Sequence, residues 1–201
     1  MSVYDLKPAF QHLLRPLVGT VAKAGITANQ VTILTAIASV GYGAALWWTD
    51  GDPILFAALP LVLLVRMAFN AIDGMLAREH GQASALGAIL NELGDLIADA
   101  ALILPFMLVA PFSAPWIVAI VALAWLTECA GIAGALSGSG RRYEGPMGKS
   151  DRAVLFGVLG LVIWASAPLS PVFAWAQPVI CVSLAVTLIN RMRAVGALQN
   201  G

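Results

Sequence analysis

Oxygen-bearing side chains recur at helical intervals within apolar sequence: Asn70 and Asp73, then Asn91 and Asp95, with Arg66, Glu92, Asp99 and Glu128 around them. At about 100° per residue, Asn70 and Asp73 lie about 60° apart on one helix, and Asn91 and Asp95 about 40° apart on the next. Each helix therefore offers one polar face. Hard oxygen donors clustered in this way suit Mg²⁺ or Mn²⁺. Gly74, Ala77, Gly81 and Gly87 keep the surroundings uncrowded and leave room for a bulky ligand beside the oxygens. Arg66 precedes Asp73 by two helical turns and is expected to pair with a carboxylate at its own depth, Asp99 or Glu128, because an unpaired charge there is costly. Glu92 points about 100° away from Asn91, while Asp99 continues the Asp95 face one turn on, so neither is counted as a ligand.

The elements that carry these residues are membrane helices. The 201 residues are 60% hydrophobic and 11% charged, with a mean hydropathy of +0.86, too apolar for a water-soluble domain of this length. Six apolar runs, near 28–49, 54–78, 86–110, 114–137, 152–168 and 171–192, approach or exceed the roughly 20 helical residues that cross a bilayer core. They lack the alternation of barrel strands, so an all-α integral membrane protein is expected, with residues 28–192 as a six-helix bundle in a single domain spanning 1–201. The short loop between the second and third runs predicts antiparallel neighbours that bring the four oxygen-bearing side chains to one depth.

With both termini cytoplasmic, Lys7, Arg15, Lys23, Arg78, Arg141, Arg142, Lys149, Arg152, Arg191 and Arg193 fall on the inner side. Trp47, Trp48, Trp116, Trp164 and Trp175 then fall at outer helix ends, where an indole suits the headgroup region. Residues 1–24 mix apolar positions with Lys7, His12 and Arg15, which predicts an amphipathic helix lying in the inner interface, and they lack a cleavable signal pattern. Ala130, Gly134 and Gly138 predict close helix contact. Cys129 and Cys181 have no partner at disulfide or zinc spacing. Eleven basic and eleven acidic residues balance, and no basic run alternates with aromatics as a nucleic-acid surface requires.

The stretch Asn70-Ala-Ile-Asp73-Gly74-Met-Leu-Ala77-Arg78, then eight residues, then Gly87-Ala-Ile-Leu-Asn91-Glu-Leu-Gly-Asp95 resembles the signature D-x-x-D-G-x-x-A-R-x8-G-x-x-x-D-x-x-x-D of the CDP-alcohol phosphotransferase (CDP-alcohol phosphatidyltransferase) family. The spacing matches throughout, with asparagine at the first and third aspartate positions. Gly25-Ile-Thr27-Ala28-Asn29-Gln30-Val-Thr32 is similar to the family's entry into its first span, with alanine where proline is usual. The resemblance implies transfer of a substituted phosphate from a CDP-lipid of the CDP-diacylglycerol type to a small polar hydroxyl acceptor, with release of CMP, in the membrane lipid of a bacterial inner membrane. It implies Mg²⁺ or Mn²⁺ held by Asn70, Asp73, Asn91 and Asp95, with Asp95 as catalytic base. It implies CDP contacts from Asn29, Thr32, Gly74, Ala77, Arg78 and Gly87, and often a homodimer.

Lys149 and Arg152 open the fifth run, where family members use basic residues for acceptor phosphate; the alternative for both is ordinary inner-face charge. Gly148-Lys149-Ser150 evokes a phosphate loop, but Tyr143 stands where that motif needs glycine and no strand precedes it. Two amides in place of carboxylates lower the formal charge from four to two, which motivates a second reading, a pseudoenzyme that binds CDP-lipid or partner proteins without turnover. A small transporter, suggested only by buried charge, is disfavoured because repeats and broken helices are not evident.

Overall fold

A computed structural model describes residues 7–138, 140–166 and 168–196; the opening residues of the interfacial segment lie outside them. The described residues form seven α-helices, α1 (Lys7–Lys23), α2 (Ala28–Trp48), α3 (Pro53–Glu79), α4 (Ala85–Ile103), α5 (Ala114–Leu136), α6 (Lys149–Ser166) and α7 (Ala176–Gly196), with 3₁₀ turns at Leu104–Leu108 and Pro171–Trp175. Among the described residues four segments are long and apolar enough to cross a membrane: α2, α3, α5 and Pro171–Gly196, the last joining the second 3₁₀ turn to α7. The chain is an integral membrane protein. The other two helices, α4 and α6, are richer in charge: α4 holds Glu92, Asp95 and Asp99, and α6 holds Lys149, Asp151 and Arg152.

Local signals set several ends. Thr27 caps α2 through a reciprocal box with Gln30, and Ser84 caps α4 by accepting from the Gly87 N–H at 3.0 Å. The third apolar run, expected to be helical to residue 110, leaves α geometry at Ile103. Pro105 lacks an N–H and cannot continue the i→i−4 ladder. The run from 171 begins as a 3₁₀ turn and becomes α-helical only at Ala176.

Helix α3 packs on α6, α2 on both α3 and α4, and α5 on α7. Glycines permit the closest approaches: a Cβ at Gly160 would lie 2.6 Å from the Phe56 carbonyl oxygen, and Gly43 sits directly on the Ala101 backbone. In α5 a Cβ at Gly131 would lie 2.9 Å from the Arg142 carbonyl oxygen of the following loop, whereas Gly138 lies beyond the helix with φ 78° and meets nothing within 4 Å. Phe106 stacks edge-to-face on Phe56, Phe112 and Phe156, with centroids 4.8, 5.9 and 5.0 Å away, and fills the apolar half of the bundle.

One expectation changes. Helices α3 and α4 are not close-packed neighbours; α2 packs against each, and asparagine–aspartate pairs bridge the gap between them. That gap holds the site. Helix α1 rests on α3, burying Val18 against Ile72, Met75 and Leu76, with Arg15 bound to Glu79 at 2.8 Å.

Candidate active site

Three helices present the site. On α2 the residue at the first helical position is Ala28, whose N–H donates to the Gln82 side chain at 2.7 Å. Proline has no such donor, so alanine at this position ties the start of α2 to the α3–α4 loop. One residue on, Asn29 lies against Gly87, where a Cβ would come within 2.6 Å of the Asn29 Oδ1. One turn further, Thr32 Oγ1 donates to Asp73 Oδ2 at 2.7 Å. The structure therefore brings Asn29 and Thr32 to the motif, at Gly87 and Asp73. On the other side Arg78 folds over Gly74, where an added Cβ would meet its guanidinium at 3.1 Å; Ala77 packs at the edge of the Val18 cluster.

The two asparagines work crosswise. Asn70 on α3 donates its amide to Asp95 Oδ1 on α4 at 2.8 Å, and Asn91 on α4 donates to Asp73 Oδ2 on α3 at 3.1 Å. Each amide thus satisfies the carboxylate of the opposite helix. Asp95 Oδ1 also accepts from Arg66 at 3.2 Å, and its Oδ2 meets the Lys149 ammonium. Arg66 further binds Asp99 at 2.7 Å, one of the two carboxylates expected to partner a cation at that depth.

Beyond Asp95 the ion pairs continue into α5, α6 and α7. Arg152, 2% exposed, donates to Asp99 at 2.7 Å and to Glu128 at 3.1 Å, and its third nitrogen reaches the Met147 carbonyl. It faces the chain's own acceptors. Glu128 also takes Arg141 at 3.1 Å and Arg191 at 3.6 Å, and Arg141 pairs with Glu92. The convergence of Arg141 and Arg191 on Glu128 is invisible to helical periodicity. Arg191 comes to Glu128 through the direct packing of α7 on α5, and Arg141 through the loop before α6, which lies back on α7 where Gly145 crowds Thr187 and the Met147 N–H donates to the Thr187 hydroxyl at 3.0 Å. The Gly148 N–H, in turn, is taken by the Asp151 side chain at 3.0 Å, which leaves no phosphate nest.

Among the described residues no three His, Cys, Asp or Glu side chains converge as a cation cage, since two motif positions are amides. The donor set nevertheless fits a hard cation. Asp73 is 3% exposed and its Oδ1 is buried with no hydrogen-bond partner, an unsatisfied carboxylate oxygen of the kind a divalent ion completes.

Comparison with known proteins places this geometry in a family. The family model described as CDP-alcohol phosphatidyltransferase matches residues 25–190. The chain is 42% identical over 201 residues to the inner membrane protein YnbA of Escherichia coli, covering 97% of this chain and 96% of that one. It is 32% identical over 117 residues to a phosphatidylinositol phosphate synthase of Corynebacterium glutamicum, a match spanning 57% of this chain and 51% of that protein. The crystal structure of the Mycobacterium tuberculosis phosphatidylinositol phosphate synthase with manganese and citrate superposes with a TM-score of 0.71 at 22% identity, covering 90% of this chain and 87% of that one. The same enzyme with CDP-DAG bound gives 0.67 at 24% identity, over 90% and 92% of the two chains. The likeness to these structures is one of fold. The motif's spacing, the helices that carry it and a family match over nearly the whole chain agree, and the protein belongs to the CDP-alcohol phosphatidyltransferase family, as a membrane transferase of phospholipid biosynthesis.

Proposed function

We propose that the protein transfers a substituted phosphate from a CDP-lipid, of the CDP-diacylglycerol type, to a small polar hydroxyl acceptor and releases CMP at the inner leaflet of a bacterial inner membrane. The observation that carries this reading is the pair of carboxylates, Asp73 and Asp95, held at motif spacing across the α3–α4 gap. In this reading residues 1–201 act as one domain, α2 to α7 all span the bilayer, and α1 lies in the interface. The exposed Trp48, Trp164 and Trp175 support the topology with both termini cytoplasmic. The manganese-bound and CDP-DAG-bound relatives support the metal and the donor. A homodimer rests on family resemblance alone.

Within the site, Asp73 with Asn70, Asn91 and Asp95 would hold Mg²⁺ or Mn²⁺, which when bound neutralises charge on the donor diphosphate. Asn29, Thr32, Gly74, Ala77, Arg78 and Gly87 would receive the CDP moiety, a reading supported by the approach of Asn29 to Gly87 and of Thr32 to Asp73. Asn70 and Arg66 fix the Asp95 carboxylate through Oδ1. Its Oδ2 faces Lys149, whose side chain is 26% exposed and is free to turn toward an entering acceptor. Asp95 would then take the acceptor hydroxyl's proton as that oxygen attacks phosphorus. Lys149 would meet the acceptor, and Arg152 would position the surrounding carboxylates.

A specific observation favours the second reading, a CDP-lipid-binding pseudoenzyme: both motif carboxylates are already satisfied in part by Asn70, Asn91 and Lys149. Purified protein in detergent with CDP-diacylglycerol, a panel of hydroxyl acceptors and Mg²⁺ or Mn²⁺ separates the two. Acceptor-dependent CMP release is expected. Saturable CDP-lipid binding with no CMP from any acceptor would establish the pseudoenzyme instead.

A further inference from the structure

Glu128 is a carboxylate in the middle of a transmembrane helix, 6% exposed, and three guanidinium groups from three other segments converge on it. Arg152 of α6 approaches Oε1 at 3.1 Å, Arg191 of α7 approaches the same oxygen at 3.6 Å, and Arg141 of the preceding loop approaches Oε2 at 3.1 Å. Three converging arginines form a cradle that suits a multiply charged oxyanion. Here the anion is part of the chain. The cradle is continuous with the motif, because Arg152 links Glu128 to Asp99, Arg66 links Asp99 to Asp95, and Lys149 sits on Asp95.

Among the described residues the charges of this network balance once the neighbouring Asp73 is counted with its ion-paired groups. Arg66, Arg141, Lys149, Arg152 and Arg191 supply its cations, and Glu92, Asp95, Asp99 and Glu128, with the neighbouring Asp73, supply as many negative charges. One divalent cation and the two negative charges of a donor diphosphate would leave that balance unchanged. An acceptor phosphate would not. It would have to displace Glu128 from the cradle and leave a carboxylate that is 6% exposed without its partners, a costly exchange.

We propose that Glu128 stands in the place of an acceptor phosphate, so that the protein uses a hydroxyl acceptor carrying no phosphate group. This rests on the transferase reading for the acceptor, whereas occupation of the cradle by Glu128 is measurable without turnover. Two experiments test it. The first compares CMP release with glycerol against glycerol 3-phosphate and with inositol against inositol 1-phosphate. The unphosphorylated member of a pair is expected to be used about tenfold better or more, the scale of one charge-assisted contact set against desolvation. Preference for the phosphorylated member would overturn the proposal, and absence of CMP with every acceptor would count against the transferase reading alone.

The second experiment follows inorganic phosphate binding by calorimetry and by thermal shift at fixed ionic strength. Glu128→Ala empties the cradle, and Glu128→Gln keeps its volume if the alanine variant does not fold. The variant should gain saturable phosphate binding, with an affinity about tenfold or more above any shown by the wild type. Equal phosphate binding by wild type and variant, or none by either variant, would show that Glu128 is not the occupant of an anion site.

Discussion

Asn70 and Asn91 reverse the sense of the positions they fill. An aspartate at either place offers only acceptors, whereas these amides donate, Asn70 to Asp95 and Asn91 to Asp73. The crossed pairs hold α3 and α4 together in the absence of a cation and lower the charge available to one. Asp73 Oδ1 remains as the unsatisfied oxygen. Restoring carboxylates should therefore raise divalent affinity while removing two of the bridges between the helices. In Asn70→Asp/Asn91→Asp, the Mn²⁺ Kd is expected to fall by about tenfold or more, since ligand charge count tunes affinity over that range. Thermal stability of the double variant should also become sensitive to EDTA where the wild type is not. An unchanged Mn²⁺ titration would show that lost charge does not govern the site.

At the scale of elements, the sequence carried the site's address more clearly than its packing. Periodicity in 66–99 marked the polar faces, and the cost of an isolated charge called for a carboxylate partner to Arg66, Asp99 or Glu128; the structure pairs it with Asp99 and also with Asp95. What periodicity does not encode is which helices touch. A short α3–α4 loop suggested direct contact, but Thr32 of α2 reaches Asp73 and Gly43 of α2 meets Ala101, so α2 packs against both helices. Likewise Pro105 was visible as a residue, while the turn it forces at the end of α4 depends on the chain's path through the core. The six-span topology has its own test. In a background with Cys129→Ala and Cys181→Ala, cysteine at Ser113 should react with a membrane-impermeant maleimide added to intact cells, and cysteine at His80 should react only after permeabilisation. The reverse pattern would invert the molecule and move the site to the other face.

Taken as a whole, the bundle has an apolar half built on Phe56, Phe106, Phe112 and Phe156 and a polar half in which its ion pairs connect end to end. The second half was legible only in pieces. Glu128 stood out as a charge at membrane depth, but Arg141 and Arg191 read as ordinary inner-face residues until α7 packed on α5 and the loop before α6 folded onto α7. In that network Asp95 is the carboxylate with one oxygen fixed by Asn70 and Arg66 and the other facing a partly exposed lysine, and the proposed role of Asp95 as base requires that lysine to turn away. The most direct measurement is CMP formation by Asp95→Asn, which keeps the side chain's size and removes its basicity. With folding and CDP-diacylglycerol binding retained, kcat is expected to fall by about 100-fold or more. Turnover at the wild-type rate by the folded variant would contradict the assignment of Asp95 and the mechanism built on it.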